Sequence, residues 1–302
     1  MRVSKPALTR EEMITLLKNR KLNFGSESES IEILKRLNYQ KLMAYKFKFL
    51  NSSNDFIDGT TFKNIYDLYK FDRELKFLIL ELVESTELAL RTQIAYELGH
   101  KYGIHCQFDN KYFYNNYFHE NFLKKLDYKL EPTNNERPLM VKHHQKKYKD
   151  VLPIYKFIEL PTLGKLSKLF KNLLIEDKDL IVNNYYKSIY HKVNTKHITS
   201  WLLTITEIRN TCAHHEKLFD NVFEISPIKH RAWKDISNKT PQGKELFSIY
   251  AVFLVFKYIT QDKELFNESI DKLDDLFNRY SSVINPSKDL KFPTNWITIL
   301  KI

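Results

Sequence analysis

The chain has 302 residues, 43% of them hydrophobic, which is enough for a packed core and too many for an intrinsically disordered chain. Lys and Arg total 48 against 37 Asp and Glu, a formal charge of +11, and only 6 glycines occur, which disfavours folds built on glycine-rich phosphate loops or many tight hairpins. Two cysteines, Cys106 and Cys212, are too few for a secreted disulfide scaffold and lack zinc-finger spacing. Free thiols in a reducing cytoplasm are therefore expected, and residues 1–6 lack the apolar run of a secretory signal.

In chain order the pattern is helical throughout. Thr9 and Glu12 have the spacing of a capping box opening a short helix to about residue 18. A second helix is expected over 27–37, and 51–59 reads as a loop. Residues 71–102 carry the longest periodic stretch: Leu75, Leu78, Ile79, Leu82, Val83, Thr86, Leu90 and Ile94 share one helical face, with Gly103 as the stop. Residues 105–150, rich in Tyr, Phe, Asn, His and Lys, predict an insertion of short helices and long loops. Further helices are expected over 163–174, from 195 through Arg209, over 244–260 and over 263–280. The remainder, with Pro286 and Pro293, predicts an irregular tail. The nearly unbroken apolar run at 246–256 has 11 residues, short of the about 20 a membrane span needs, so it predicts a buried helix.

The positive charge is localised. Residues 1–50 hold 11 Lys/Arg and 5 Asp/Glu, and residues 121–150 hold 8 and 4, so the two segments supply ten of the eleven net charges. Such patches attract phosphate backbones, although a genome rich in A/T codons also raises Lys. The organisation expected is a basic N-terminal helical region (1–60), a core (61–225) with the insertion at about 105–150, and a C-terminal helical region (226–302). His143-His144, followed by Lys146-Lys147, reads as a solvated basic face and not a metal site.

The chemistry concentrates where an apolar helix runs into Arg209-Asn210-Thr-Cys-Ala-His214-His215-Glu216. Histidine transfers protons near neutral pH, and arginine offers a fixed fork of donors suited to phosphate. Together they can bind a phosphodiester and stabilise the charge of its transition state. Asn210 and His214 share a helical face, whereas Arg209 and His214 lie about 140° apart around an ideal helix. A distorted helix end, arginine's reach or a second copy of the motif must bring them together. Upstream, Glu87 and Arg91 have the i,i+4 spacing of an ion pair.

Four pieces of sequence carry a resemblance. They are Lys5-Pro6-Ala7-Leu8-Thr9 with Ile33-Leu-Lys-Arg-Leu-Asn-Tyr39, Ile65-Tyr-Asp-Leu-Tyr-Lys-Phe-Asp-Arg-Glu-Leu75, Glu84-Ser-Thr-Glu87-Leu-Ala-Leu-Arg91, and the Arg209–His215 cluster. Over roughly residues 4 to 225 the chain resembles the Abi family of bacterial abortive-infection proteins (the AbiD/AbiF-like group) of the HEPN superfamily. The resemblance implies an all-α, HEPN-like helical bundle, here with additional N- and C-terminal helices and the insertion. It implies metal-independent RNA cleavage without a cofactor, by a cytoplasmic homodimer with no membrane association. Arg209, Asn210 and His214 match the family's Arg-x(4–6)-His motif as catalytic residues. His215 gives a second allowed spacing, and Glu87 and Arg91 match polar positions of the long helix that support or extend the site. The other reading is a non-catalytic RNA-binding protein paired with a small noncoding RNA.

Overall fold

The computed structural model describes residues 7–131, 133–187, 193–221, 223, 225–233, 237–239 and 245–302. Lys5, Pro6 and Lys244, on which sequence expectations fell, lie outside them. The chain is all-α apart from a three-residue antiparallel strand pair, Ser237–Lys239 (β1) with Glu245–Phe247 (β2). The helices in order are α1 Arg10–Lys18, α2 Glu27–Arg36, α3 Tyr39–Met43, α4 Phe62–Tyr102, α5 Asn116–Lys124, α6 Asp127–Leu130, α7 Leu139–Tyr148 and α8 Ile154–Phe157. They continue with α9 Leu163–Asn172, α10 Ile175–Val182, α11 Thr195–Ala213, α12 Ile249–Ile259, α13 Lys263–Arg279, α14 Pro286–Leu290 and α15 Trp296–Leu300.

Helix α4 organises the rest. Its 41 residues span about 60 Å at the usual rise per residue. It begins nine residues before the expected start, because Thr61 and Asn64 form a reciprocal capping box and Ile65, Leu68 and Phe71 extend the apolar face N-terminally. Gly103, at φ +94°, ends it as expected. Helices α3, α8, α9, α10, α11 and α13 all pack against α4. Among the described residues one apolar core runs from Ile14 to Leu300.

The capping box at Thr9 forms, and α9, α11 and α13 fall where periodicity placed them. Helix α12 starts at Ile249, not at 244, because Glu245–Phe247 pairs as a strand; ten of its eleven residues are buried. Two expectations fail. The C-terminal segment is not irregular: Pro286 occupies the first turn of α14, where its missing N–H costs nothing, and Trp296 starts α15. His144 is not solvated: it is buried, with Nε2 3.1 Å from the Val151 carbonyl oxygen and Nδ1 3.3 Å from Lys156 Nζ.

The insertion is stitched to the body. Tyr114 N–H donates to the Asn172 carbonyl (2.8 Å), and the Asn172 side chain exchanges hydrogen bonds with the Asn115 backbone. His119 stacks on Phe113 at 3.9 Å, and Lys129 donates to the Leu160 carbonyl. These ties hold α5 beside α9. No helix among the described residues is long and apolar enough to cross a membrane.

Candidate functional site

The apolar face of α11, Ile205, Ile208 and Cys212, is buried against the core. That orientation puts Asn210 and His214 in solvent and leaves Arg209 half-buried. Burial pushes the Cys212 thiol up to about 12, which makes it an inert core residue. The helix closes in a Schellman arrangement: Glu216 N–H donates to the Thr211 carbonyl (3.0 Å) and His215 N–H to the Cys212 carbonyl (3.1 Å). His214 is the C-cap, at φ −85° and ψ 8°, and His215 takes the left-handed conformation, φ +57°. The two adjacent imidazoles therefore leave the chain from opposite-handed backbones. The His214 ring makes no hydrogen bond or ion pair with a described residue.

The segment just after the motif is fastened to α3 and α4 by groups that sequence reasoning missed. Asp72 is fully buried and forms an ion pair with Lys76 (2.8 Å). Its carboxylate accepts from Tyr45 Oη (2.6 Å) and from the backbone N–H groups of Leu218 and Phe219. Lys76 donates to the Glu216 carbonyl (2.9 Å), Lys41 to that of His215, and Lys217 to that of Ala44 (3.2 Å). Burial, then the adjacent Asp72 charge, raises the Tyr45 phenol far above its usual range. The i,i+4 spacing of Asp72 and Lys76 is visible in the sequence, but their targets lie some 140 residues away.

Arg209 lines a cleft of about 370 Å³ along α4, together with Glu84, Glu87, Arg91 and Glu159. The structure thus gathers Arg209 and the Glu87–Arg91 pair in one place. Their donors are used differently. Arg91 is buried, and its guanidinium is consumed by Glu87 and by the carbonyls of Ile158 and Pro161 (2.8 Å to the latter), so it pins the turn entering α9. Among the described residues Arg209 makes one side-chain hydrogen bond, to Asn210 Oδ1 (3.1 Å), leaving most of its fork unspent. With three glutamates against two arginines, this cleft is not basic.

Asn210 faces the other way, into a groove of about 900 Å³ between α5, α9 and α11 that Lys125, Lys165 and Lys168 also line. Neither hollow reaches His214 or His215, which stand outside on the helix end. Among the described residues no cluster of three or more His, Cys, Asp or Glu is placed to hold a metal ion.

Residues 32–220 match the family model described as Abi-like protein, more than half of the 302-residue chain. The chain belongs to the Abi-like family. In this Abi-like protein the matched span runs from α2 to just beyond Phe219 and contains the α11 motif, the Asp72–Lys76 pair and the insertion helices α5–α7. Helices α12–α15 lie outside it. No curated protein and no solved structure matches the chain.

Proposed function

We propose that this Abi-like protein is an endoribonuclease of the HEPN type that cuts RNA without a metal, as a cytoplasmic homodimer. The observation that carries the reading is the end of α11. An exposed histidine and an arginine with unspent donors stand five residues apart, just before a segment that a buried ion pair fastens to α4. His214 takes the proton from a ribose 2′-hydroxyl, the oxygen attacks the adjacent phosphorus, and the P–O5′ bond breaks. Arg209 holds the crowded phosphate oxygens, and Asn210 orients the arginine that bonds to it. One chain carries the Arg-x4-His motif once, whereas the reaction also profits from an acid at the departing 5′-oxygen. A second copy of the motif, related by a two-fold axis, supplies it. The products are a 2′,3′-cyclic phosphate and a 5′-hydroxyl. Membership of the family suggests a role in abortive infection, in which damage to host or phage RNA arrests growth.

The test is incubation of purified protein with RNA in EDTA beside His214→Ala. Loss of cleavage in the variant is expected, and equal activity rejects the assignment. The lysine-lined groove beside Asn210 needs no chemistry, which favours the second reading, an RNA-binding protein held by or holding a small noncoding RNA. Arg209→Ala separates the two. Lost toxicity with intact RNA affinity supports cutting.

A further inference from the structure

We infer that the groove between α5, α9 and α11 is the seat of an unpaired RNA strand, which it delivers to the motif at Asn210. The inference rests on the RNA-directed reading above and assigns it a binding surface. Three lysines line the groove, Lys125, Lys165 and Lys168, and none forms an ion pair with a described carboxylate. Glu207 is the one acid among the lining residues, and its carboxylate accepts the Ile225 N–H. Uncompensated ammonium groups crowded into one hollow attract a phosphate chain. The crowding is physical. Burial, then the charges of Lys129 and Lys125, lowers the Lys165 ammonium's pKa, and Lys165 also donates to the Lys125 carbonyl (3.0 Å).

The α5 side also carries aromatic rings. Tyr117 is 75% exposed and Phe118 46%, both on the first turn of α5, which the Asn172 ties hold in position. Exposed rings beside a cationic track are platforms for bases, and every base has a face to offer only when it is unpaired. A duplex presents phosphates alone and leaves the rings unused. Depth comes from Gly164 on α9: a Cβ there would lie 3.3 Å from Thr206 Cγ2, so the missing side chain lets α9 settle closely on α11. The groove's α11 wall then contains Asn210, whose amide oxygen holds Arg209. A strand lying in it would meet the motif from its basic side and not across the glutamates of the α4 cleft.

The experiment uses full-length His214→Ala protein, so that binding is read without cleavage, with a fluorescein-labelled single-stranded RNA and its duplex in anisotropy titrations across a salt series. The single strand should bind more tightly than the duplex. Lys165→Glu with Lys168→Glu should weaken it at least ~10-fold, and the milder Lys165→Gln with Lys168→Gln should lower the log–log salt slope by about 0.7 per lost phosphate contact. Tyr117→Ala with Phe118→Ala should cost at least ~5-fold while leaving that slope unchanged. Circular dichroism melts confirm that each variant folds. Unchanged affinity in folded lysine variants, a duplex bound as tightly as the strand, or polyglutamate displacing the RNA at equal charge would overturn the inference. A wild type that binds through this groove but never cuts would sink the nuclease and leave the groove standing. A His214-intact protein that cuts normally with Lys165→Glu and Lys168→Glu would do the opposite.

Discussion

Replacing Asp72 with asparagine probes the fastening of the motif directly. The carboxylate is fully buried, 2.8 Å from Lys76 Nζ and 2.6 Å from Tyr45 Oη, and receives the amides of Leu218 and Phe219. Asparagine keeps the shape and one acceptor oxygen but removes the charge that balances Lys76, itself only 7% exposed at the side chain. Breaking a buried pair from one side costs about 3–5 kcal/mol, and the retained oxygen offsets part of that, so about 3 kcal/mol is expected for Asp72→Asn. Asp72→Ala also orphans two amides at about 1–3 kcal/mol each, which takes the loss into the range of a whole domain's stability, about 5–15 kcal/mol. Lys76→Met leaves a carboxylate that still accepts three hydrogen bonds and should cost about 2 kcal/mol. The double variant Asp72→Asn/Lys76→Met buries no charge, so its loss should fall short of the sum of the singles by at least ~1.5 kcal/mol. Urea unfolding followed by far-ultraviolet circular dichroism gives the four energies, and hydrogen exchange at residues 215–219 reads the local release. Additive singles, or Asp72→Asn within ~1 kcal/mol of wild type, would refute the reasoning.

Three further outcomes are expected. Arg91→Met should lose about 2–4 kcal/mol in the same unfolding assay, because the carbonyls of Ile158 and Pro161 lose their donor; an unaffected midpoint with lost RNA cleavage would instead place Arg91 in the chemistry. His215→Gly should raise stability by up to about 1 kcal/mol, since glycine adopts the left-handed C′ position without the Cβ penalty, whereas His215→Val should melt lower than wild type. His197 accepts the Asn194 N–H at Nδ1 to complete the α11 cap, and burial, then the His230 charge, holds its pKa below the ordinary histidine value. The unfolded chain then binds the proton more readily than the folded one, so stability present above about pH 6.5 is lost on acidification below it. In His197→Gln, which keeps a capping acceptor, the melting temperature should fall less between neutral and mildly acidic pH.

Local rules made the long elements readable. Periodicity located the apolar faces of α4, α9 and α13, and capping chemistry located Thr9. The start of α4 was hidden because Asn64 and Asp67 interrupt the apolar pattern, and the C-terminal helices because proline reads as a breaker wherever its place in the turn is unknown. At the candidate site the residue types of the motif were legible, and so was the angular splay that sends Arg209 and His214 to different surroundings. The separation of Arg209 into an acidic cleft and Asn210 into a basic groove was not, because the neighbours come from α4, α5 and α9, remote in sequence. Asp72 and Lys76 look like any exposed i,i+4 pair until the segment after α11 that they hold is brought over them. Arg91 and Arg209 carry the same side chain, and only their partners distinguish a strut from a free hand.

The distance along the chain between Asp72 and the amides it holds, 146 residues to Leu218, has a bearing on how the protein is made. A ribosome adding about 5–20 residues per second has the long helix out early, yet the loop beyond His214 cannot dock until residue 219 has emerged, and α13, which packs on the same helix, follows later still. Closing so large a ring early is entropically costly. The arginine and histidines are thus held in their final places only once residues 216–219 have emerged, so a product stalled just past residue 215 carries the motif without the ties that shape it.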